Sequence, residues 1–460
     1  MRHTDVVRPV VGRAGYGDSK ESRAVADRED GGVAVPRKSP VAAYRPIAID
    51  LYAGAGGLSL GMEQAGFDVV AAVEMDPIHA LTHRFNLPHT SVVTRDLSEG
   101  SVRAVATHVV DAARTNWQAR HPLGEFPGVD AVVGGPPCQG FSIGGIRDAQ
   151  DERNGQLLRF VDLVVEIQPR VFCLENVAGL LQPRFEALRK EVLRRLEVDG
   201  GYDVTGLNMP VNAASFGVPQ NRRRVLILGS RAGDVPVLTP PDVSPVTVRE
   251  ALEGLPDLTS YRRLLSSDEV ELTSEDLRQL LSVRSEYARR LVGVESDPSD
   301  RSWQRIHHPA RLTNSLRTVH RPKTVQRFSR TRHGKVDGVS HLFRLDPDGQ
   351  SRTLRAGTGT DRGSHTSPRP IHPHKNRVIT VREAARLHGY PDWFRFHGTN
   401  WHGHRQVGNS VPPPLAAAAG RALLQALRVS VSKRPMKQVA LGDPDWLWYG
   451  QLEASEAMRS

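Results

Sequence analysis

The sequence predicts an α/β chain built on a doubly wound, Rossmann-like parallel sheet with a smaller second domain, and three observations carry that expectation. From Ile47 onward, short β-rich runs alternate with stretches long enough for helices. The first run leads into AGAGGLSLG, a Gly-rich turn of the kind that joins a strand to a helix where backbone approaches a ligand. After Gly229 the alternation stops, and it returns only with ITVREAARLHGYP, so the interval has a different character.

Taken in order, residues 1–45 mix Arg, Asp, Gly and Pro without periodicity and read as a disordered N-terminal tail. Residues 46–231 carry the first part of the main domain. Its expected strands are IAIDLY, VVAAVE, VDAVVGG, RVFCLENV and RVLILGS, and FEALRKEVLRRLEV is an expected helix. Residues 232–346 open Pro-rich, pass through an acidic helical stretch near Ser266 to Val292 and run into a basic segment, which reads as a separate small domain. Residues 347–430 return to the main domain, where the helix in VGNSVPPPLAAAAGRALLQALR is long enough to pack back on the sheet. Residues 431–460 read as a C-terminal tail, and no internal repeat is found.

Composition narrows the function classes. At 460 residues the chain can bury two cores. Its mean hydropathy is −0.39, and no apolar run approaches the roughly 20 residues of a membrane span, so no membrane role is expected. The opening MRHTDVVRPV lacks the apolar centre of a secretory signal, and only Cys138 and Cys173 are present, so a disulfide framework is not indicated and a reducing cytoplasm fits best. Two cysteines also cannot build a cysteine-rich metal site; His365, His372 and His374 offer only a weak alternative, and no metal is expected. Net charge is +10, yet residues 301–385 alone hold 18 Lys and Arg against 5 Asp and Glu. Charge concentrated in this way suits a surface that tracks phosphates, although a solvated face in an Arg-rich chain would look similar.

Several residues stand where chemistry is done. Gly54, Gly56 and Gly57 permit the tight turn after the first strand, but Ser59 replaces the third glycine of a dinucleotide fingerprint, which disfavours a nicotinamide cofactor. Glu74 ends the next strand, where an acidic side chain accepts hydrogen bonds from ribose hydroxyls. Asp96, in TRDL, can take an exocyclic amine or simply cap a turn. In VDAVVGGPPCQGFS, Pro136 and Pro137 stiffen the backbone just before Cys138, so that thiol is presented, whereas Cys173 sits inside an apolar run as core filler. The stretch QGFSIGGIRDAQDERNG after it reads as a loop able to close over a substrate. Glu175 and Asn176 end the RVFCLENV strand at the edge where parallel sheets place their sites. Arg222 and Arg224, two residues apart in an extended segment, are expected to face one anionic centre.

These stretches together resemble the DNA cytosine-5 methyltransferase family of the bacterial type. The matching segments are DLYAGAGGLSLG, VEMD, RDL, GGPPCQGFS, ENV, QNRRRV, TVREAARLHGYPDWF and GNSVPPPLA, covering Ile47 to about Arg428 apart from the region after Gly229. GGPPCQGFS with ENV is highly specific; the glycine turn alone is not. Tyr52 stands where Phe is more usual and still offers a ring to stack on adenine. The resemblance implies a Rossmann-like S-adenosylmethionine-dependent methyltransferase sheet, with residues 232–346 as a variable target-recognition domain. It implies Cys138 as nucleophile, Glu175 as the hydrogen-bonding partner of the base, and Arg222 and Arg224 as the positive surroundings of the thiolate. Cofactor contacts are implied for Tyr52, Gly54, Gly56, Glu74, Met75, Asp96, Leu97, Pro137, Asn409 and Ser410.

The chemistry explains the need for these groups. Carbon 5 of cytosine is a poor nucleophile until a thiolate adds at carbon 6, and a base inside a duplex must first leave the stack. The expected partner is double-stranded DNA, with a monomeric, cytoplasmic enzyme and a cognate restriction endonuclease as a functional partner only. A tRNA methyltransferase of the same chemistry, a catalytically inactive DNA-binding relative and a nicotinamide oxidoreductase are the alternatives.

Overall fold

The computed structural model describes residues 45–137, 155–357, 369–432 and 438–459. The expected tail over residues 1–44 therefore lies outside the described residues, as do Cys138, the loop that follows it and His365.

The apolar runs pair as the alternation predicts. Strands β1 (Ile47–Leu51), β2 (Asp68–Glu74), β3 (Ser91–Thr94), β4 (Ala131–Gly134) and β5 (Val171–Val177) lie parallel in the spatial order β3-β2-β1-β4-β5. The sheet is completed by β6 (Asp203–Thr205), β7 (Val211–Asn212) and β9 (Arg223–Ser230), with β9 antiparallel to β5; the two-residue strand β8 (Gln220–Asn221) pairs instead with Ser351–Arg352. Strand order reverses between β1 and β4, and ligands of open α/β sheets bind outside the carboxyl ends of the strands at such a switch point.

Both faces of the sheet are covered. Helices α3 (Val102–Arg120), α4 (Gly155–Ile167) and α5 (Glu186–Arg194) close one core with Ile49, Leu51, Val132, Phe160, Phe172 and Ile227. On the other face α1 (Gly57–Ala65) packs against α12 (Pro413–Ala426), and small residues set how near they come. A Cβ on Gly61 would stand 2.3 Å from the Cβ of Ala416, and one on Gly420 2.6 Å from that of Ala65. Helix α2 (Pro77–Asn86) starts at an Asp76 N-cap, whose carboxylate accepts from the Ile78 amide at 3.0 Å.

The interval after Gly229 holds α6 (Val248–Leu252), α7 (Ser274–Leu281), α8 (Glu286–Val292) and α9 (Pro322–Arg330). A small core of its own joins Leu258, Leu264, Leu280, Val292 and Leu312. The segment from Trp303 to Ile306 nevertheless returns to the main sheet layers, because Arg305 forms a buried ion pair with Glu63 at 2.8 Å and donates to the Asn86 carbonyl. Burial alone would raise the Glu63 carboxyl; Arg305 and His89 hold it well below the usual range. Helices α10 (Val381–Arg386) and α11 (Asn400–Asn409) follow and share a core with Ala55, Leu60, Val248, Leu345 and Leu354.

The C-terminal end differs from the expected tail. Gln438–Ala440 pairs with Gln304–Ile306, and helix α13 (Gln451–Ala457) packs with Trp446 on Ile78 and Leu81 of α2. Arg84 lies 4.9 Å from the Trp446 ring, and the Gly398 amide donates to the Leu447 carbonyl at 2.8 Å. Buried apolar side chains at Leu447 and Ala454 are what hold this segment down. Among the described residues no helix is long and apolar enough to cross a membrane.

Candidate active site

Register brings the candidate residues into one row. Leu51 pairs with Val73 on one side and Gly134 on the other, and Gly134 pairs with Leu174. The next residue on each strand is therefore Tyr52, Glu74, Gly135 and Glu175, a row across four strands spaced about 4.8 Å apart. Because β9 runs antiparallel, its start lies at the same edge, with Arg224 opposite Val177.

At β1 the chain turns sharply. Tyr52, Gly54 and Gly56 all have positive φ, of 59°, 57° and 98°. The cost at Tyr52 is met by packing and by its hydroxyl, which donates to Gln156 Oε1 at 2.7 Å. A Cβ on Gly54 would meet nothing within 4 Å, so the turn leaves an open cradle there. Gly57 is the reverse case: a Cβ would come 2.3 Å from the Tyr390 hydroxyl and 2.5 Å from the Val411 carbonyl.

Glu74 locks this turn to the next strand. Its two carboxylate oxygens accept from the Gly54 and Asp76 amides, each at 2.8 Å, leaving further lone pairs for ribose hydroxyls. Met75 beside it is 62% exposed, an apolar surface free to pack on a flat ring. Asp96 realises the cap reading at one oxygen, which accepts from the Ser98 amide at 2.8 Å and hydroxyl at 2.7 Å. Leu97 is buried in the core, so its side chain has almost no surface for a ligand; its carbonyl accepts from Arg159 at 2.6 Å. The cradle, Glu74 and Met75 fit an adenosine-containing cofactor.

The Ser59 that replaces a fingerprint glycine has a structural reason. Its hydroxyl donates to Asp50 at 2.6 Å and accepts from His83 Nε2 at 2.9 Å. Burial, opposed by the Ser59 hydrogen bonds, raises the Asp50 carboxyl to about 7, and burial lowers the His83 imidazole to about 3. This buried network under the glycine turn was not singled out from sequence; a polar residue where a glycine was expected is the signal that could have found it.

At the other side of the switch point, Pro136 is buried and Pro137 exposed, immediately before Cys138 in the chain. Gly135 lies against Glu175, since a Cβ there would be 3.3 Å from Oε2. Glu175 Oε1 stands 2.7 Å from Arg224 Nε, both side chains being about nine-tenths buried. That contact is one of charge: Oε1 has no hydrogen-bond donor aligned on it among the described residues. A buried carboxylate oxygen with an unused acceptor site is what a substrate donor needs. Asn176 donates from Nδ2 to the Pro136 carbonyl at 3.5 Å, and Cys173 is fully buried, its thiol pushed up by burial.

Arg222 and Arg224 do not share the arrangement expected of them. Arg224 faces Glu175, whereas Arg222 is 1% exposed and its Nη atoms donate to the carbonyls of Leu354, Gly408 and Ser410 at 3.2, 3.0 and 2.9 Å. Arg222 lies between β8 and β9, where the carbonyls of Leu354, Gly408 and Ser410 converge within reach of its guanidinium. The expectation that both arginines serve one anionic centre is corrected on this point: Arg222 ties the GNSV segment to the sheet edge. His388 assists it. Burial and Arg222 push its imidazole well below the usual range, so the neutral ring donates from Nε2 to the Ser410 carbonyl and accepts at Nδ1 from Gln220. Asn409 is exposed at the end of α11 and Ser410 half-buried, its hydroxyl donating to the Val407 carbonyl. His372 Nδ1 accepts from the His374 and Lys375 amides, and among the described residues, which do not include His365, no group of three metal-ligating side chains exists.

The comparisons with known proteins agree with this geometry. The family described as C-5 cytosine-specific DNA methylase matches residues 47–425. The chain is 44% identical to the type II methyltransferase M.XorII of Xanthomonas oryzae pv. oryzae, covering 89% of this chain and 92% of the relative. It is 31% identical to the type II methyltransferase M.AgeI of Thalassovita gelatinovora, covering 84% and 99%. Among solved structures, a putative DNA modification methyltransferase encoded in an Escherichia coli prophage superposes with a TM-score of 0.65 at 32% identity, over 83% of this chain and 99% of that one. With its glycine cradle, Glu74 and Glu175 along one sheet edge, the chain belongs to the C-5 cytosine-specific DNA methylase family and is an S-adenosylmethionine-dependent DNA (cytosine-5) methyltransferase.

Proposed function

We propose that the enzyme methylates a cytosine rotated out of a specific duplex sequence, through a transient covalent bond from Cys138. The observation that supports this most is the buried, donor-free Glu175 Oε1 beside Arg224, one strand away from the Gly-Pro-Pro segment that leads to Cys138.

In this reading the Cys138 thiolate adds to carbon 6 of the base, and the displaced electron pair makes carbon 5 nucleophilic. Glu175 accepts from the exocyclic amine and holds a proton at the ring nitrogen, an interaction that strengthens as charge develops. Arg224, paired with Glu175, keeps that carboxylate oriented and favours the thiolate. Bound S-adenosylmethionine supplies an electrophilic methyl group on a sulfonium, whose departure needs no proton. Transfer of the carbon 5 proton to solvent water then returns the electron pair to the ring and expels the Cys138 sulfur as thiolate. Tyr52, Gly54, Gly56, Glu74, Met75 and Asp96 hold the adenosine part, with Pro137, Asn409 and Ser410 closing on it.

Residues 232–346 serve target recognition, and residues 347–430 complete the catalytic layer. The names of the two type II relatives support a place in restriction-modification beside a cognate endonuclease, as a functional and not a physical partner. The enzyme acts as a monomer in a bacterial cytoplasm. Methyl transfer to duplex DNA measured against transfer to tRNA tests the substrate: tritium from labelled cofactor is expected in DNA alone, and activity on tRNA alone would overturn the reading.

A further inference from the structure

The basic stretch has a structured centre that the catalytic chemistry does not use. Residues 301–336 contain ten Lys and Arg and no Asp or Glu. Within them α9 is held by one side of its last turn only. Phe328 is the single buried residue of the nine, packed with Ile371 and Val378. Arg344 donates to the Phe328 carbonyl at 2.6 Å, and Arg327 is committed to Asp337, its Nε lying 2.8 and 2.9 Å from the two carboxylate oxygens. The remaining surface is open: Lys323, Gln326, Ser329 and Arg330 are exposed, and Val325 is 38% exposed. The side chains of Lys323, Gln326 and Arg330 make no hydrogen bond or ion pair among the described residues. The helix is thus pinned by one aromatic and two arginines and presents unpaired donors to solvent.

From this we infer that α9 is the helix that reads the target sequence in the DNA major groove, with Gln326 and Arg330 meeting base edges and Lys323 a phosphate. The proposal rests on the DNA methylation stated above and adds to it the residues that choose the site. The major groove admits an α-helix; Gln pairs bidentately with adenine and Arg with guanine, and the helical spacing puts Lys323, Gln326 and Arg330 on one face of α9. Absence of acidic residues across this stretch removes repulsion from phosphates on either side.

Base-resolution sequencing of a random-sequence plasmid library methylated by the full-length enzyme tests this. Gln326→Ala and Arg330→Ala are each expected to broaden the methylated motif at one or two base pairs, with discrimination there falling about tenfold and the methylated cytosine unchanged. Arg330→Lys keeps the charge and loses the bidentate fork, so it should broaden the same position. Lys323→Ala should slow methylation alike on all sequences. Thermal melting and cofactor affinity of each variant are expected to match the parent, since these side chains are exposed. An unchanged motif with a uniform loss of rate in the Gln326 and Arg330 variants would overturn the proposal and leave α9 as a phosphate clamp. Failure of the parent enzyme to methylate any duplex would instead refute the underlying activity, and this proposal with it.

Discussion

Replacing Glu175 by Gln changes one charge and almost no volume at the centre of the site. Its Oε1 is buried, lacks a hydrogen-bond donor among the described residues and lies 2.7 Å from Arg224 Nε. In the resting enzyme the amide oxygen of Gln can still face Arg224, so the contact persists while its charge is lost. In the transition state the loss is larger, because the carboxylate then meets a ring that gains positive character. Removal of one such preorganised electrostatic contact costs about 10²–10³ in kcat. The expected pattern is thus a drop of about 10²–10³ in single-turnover methyl transfer, with dissociation constants for duplex and cofactor changed by less than about threefold. Rapid-quench transfer of labelled methyl, alongside fluorescence anisotropy for DNA binding, separates the two. A variant that loses binding as much as chemistry, or keeps more than about a tenth of the parental rate, would refute the role given to Glu175.

Other consequences follow from the supporting residues. The raised Asp50 carboxyl favours the acid form in the folded state, so its contribution is full below 3.8 and is lost as pH rises through about 7. Asp50→Asn should therefore gain about 2–3 kcal/mol relative to the parent between about pH 5 and pH 8 in urea unfolding; parallel pH profiles would contradict the burial argument. Arg222→Met strips its donors from three backbone carbonyls and should cost about 3–6 kcal/mol, with Arg222→Lys recovering part of it, as measured by chemical denaturation. Gly54→Ala and Gly57→Ala should part company: the first projects into open space at φ 57° and should weaken cofactor binding at a stability cost of about 1–2 kcal/mol, while the second collides with the Tyr390 hydroxyl and Val411 carbonyl and should destabilise the fold itself. Calorimetry of cofactor binding with thermal melting distinguishes them, and equal melting temperatures would count against the contact at Gly57.

Much of this arrangement was legible in the chain. The β-branched runs from IAIDLY to RVLILGS announce their strands because their pattern is local, and strand ends in a parallel sheet necessarily share an edge, which is how Glu74 and Glu175 come into one row. What was not legible depends on partners far away in sequence. Arg222 was read beside Arg224, but its neighbours are the carbonyls of Leu354, Gly408 and Ser410, and no local pattern announces them. Glu63 and Arg305 each look like surface charges until the fold buries them together. Residues 431–460 read as a tail in the sequence, although Trp446, Leu447 and Ala454 supply enough apolar surface to seal α2. Ser59 was read as a missing glycine, and its value lies in the hydroxyl it lends to Asp50.

The central claim is that the sulfur of Cys138 bonds to the base during turnover. Incubating the enzyme and S-adenosylmethionine with a duplex in which 5-fluorocytosine replaces the target base, followed by intact-mass measurement under denaturing conditions, tests it most directly. Fluorine blocks the final loss from carbon 5, so the account expects one adduct with the mass of protein plus DNA plus one CH2, the methyl group gained less the thiol proton lost, cross-linked at Cys138 and absent from Cys138→Ser. A methylated duplex with no adduct, or an adduct that survives in the serine variant, would contradict it.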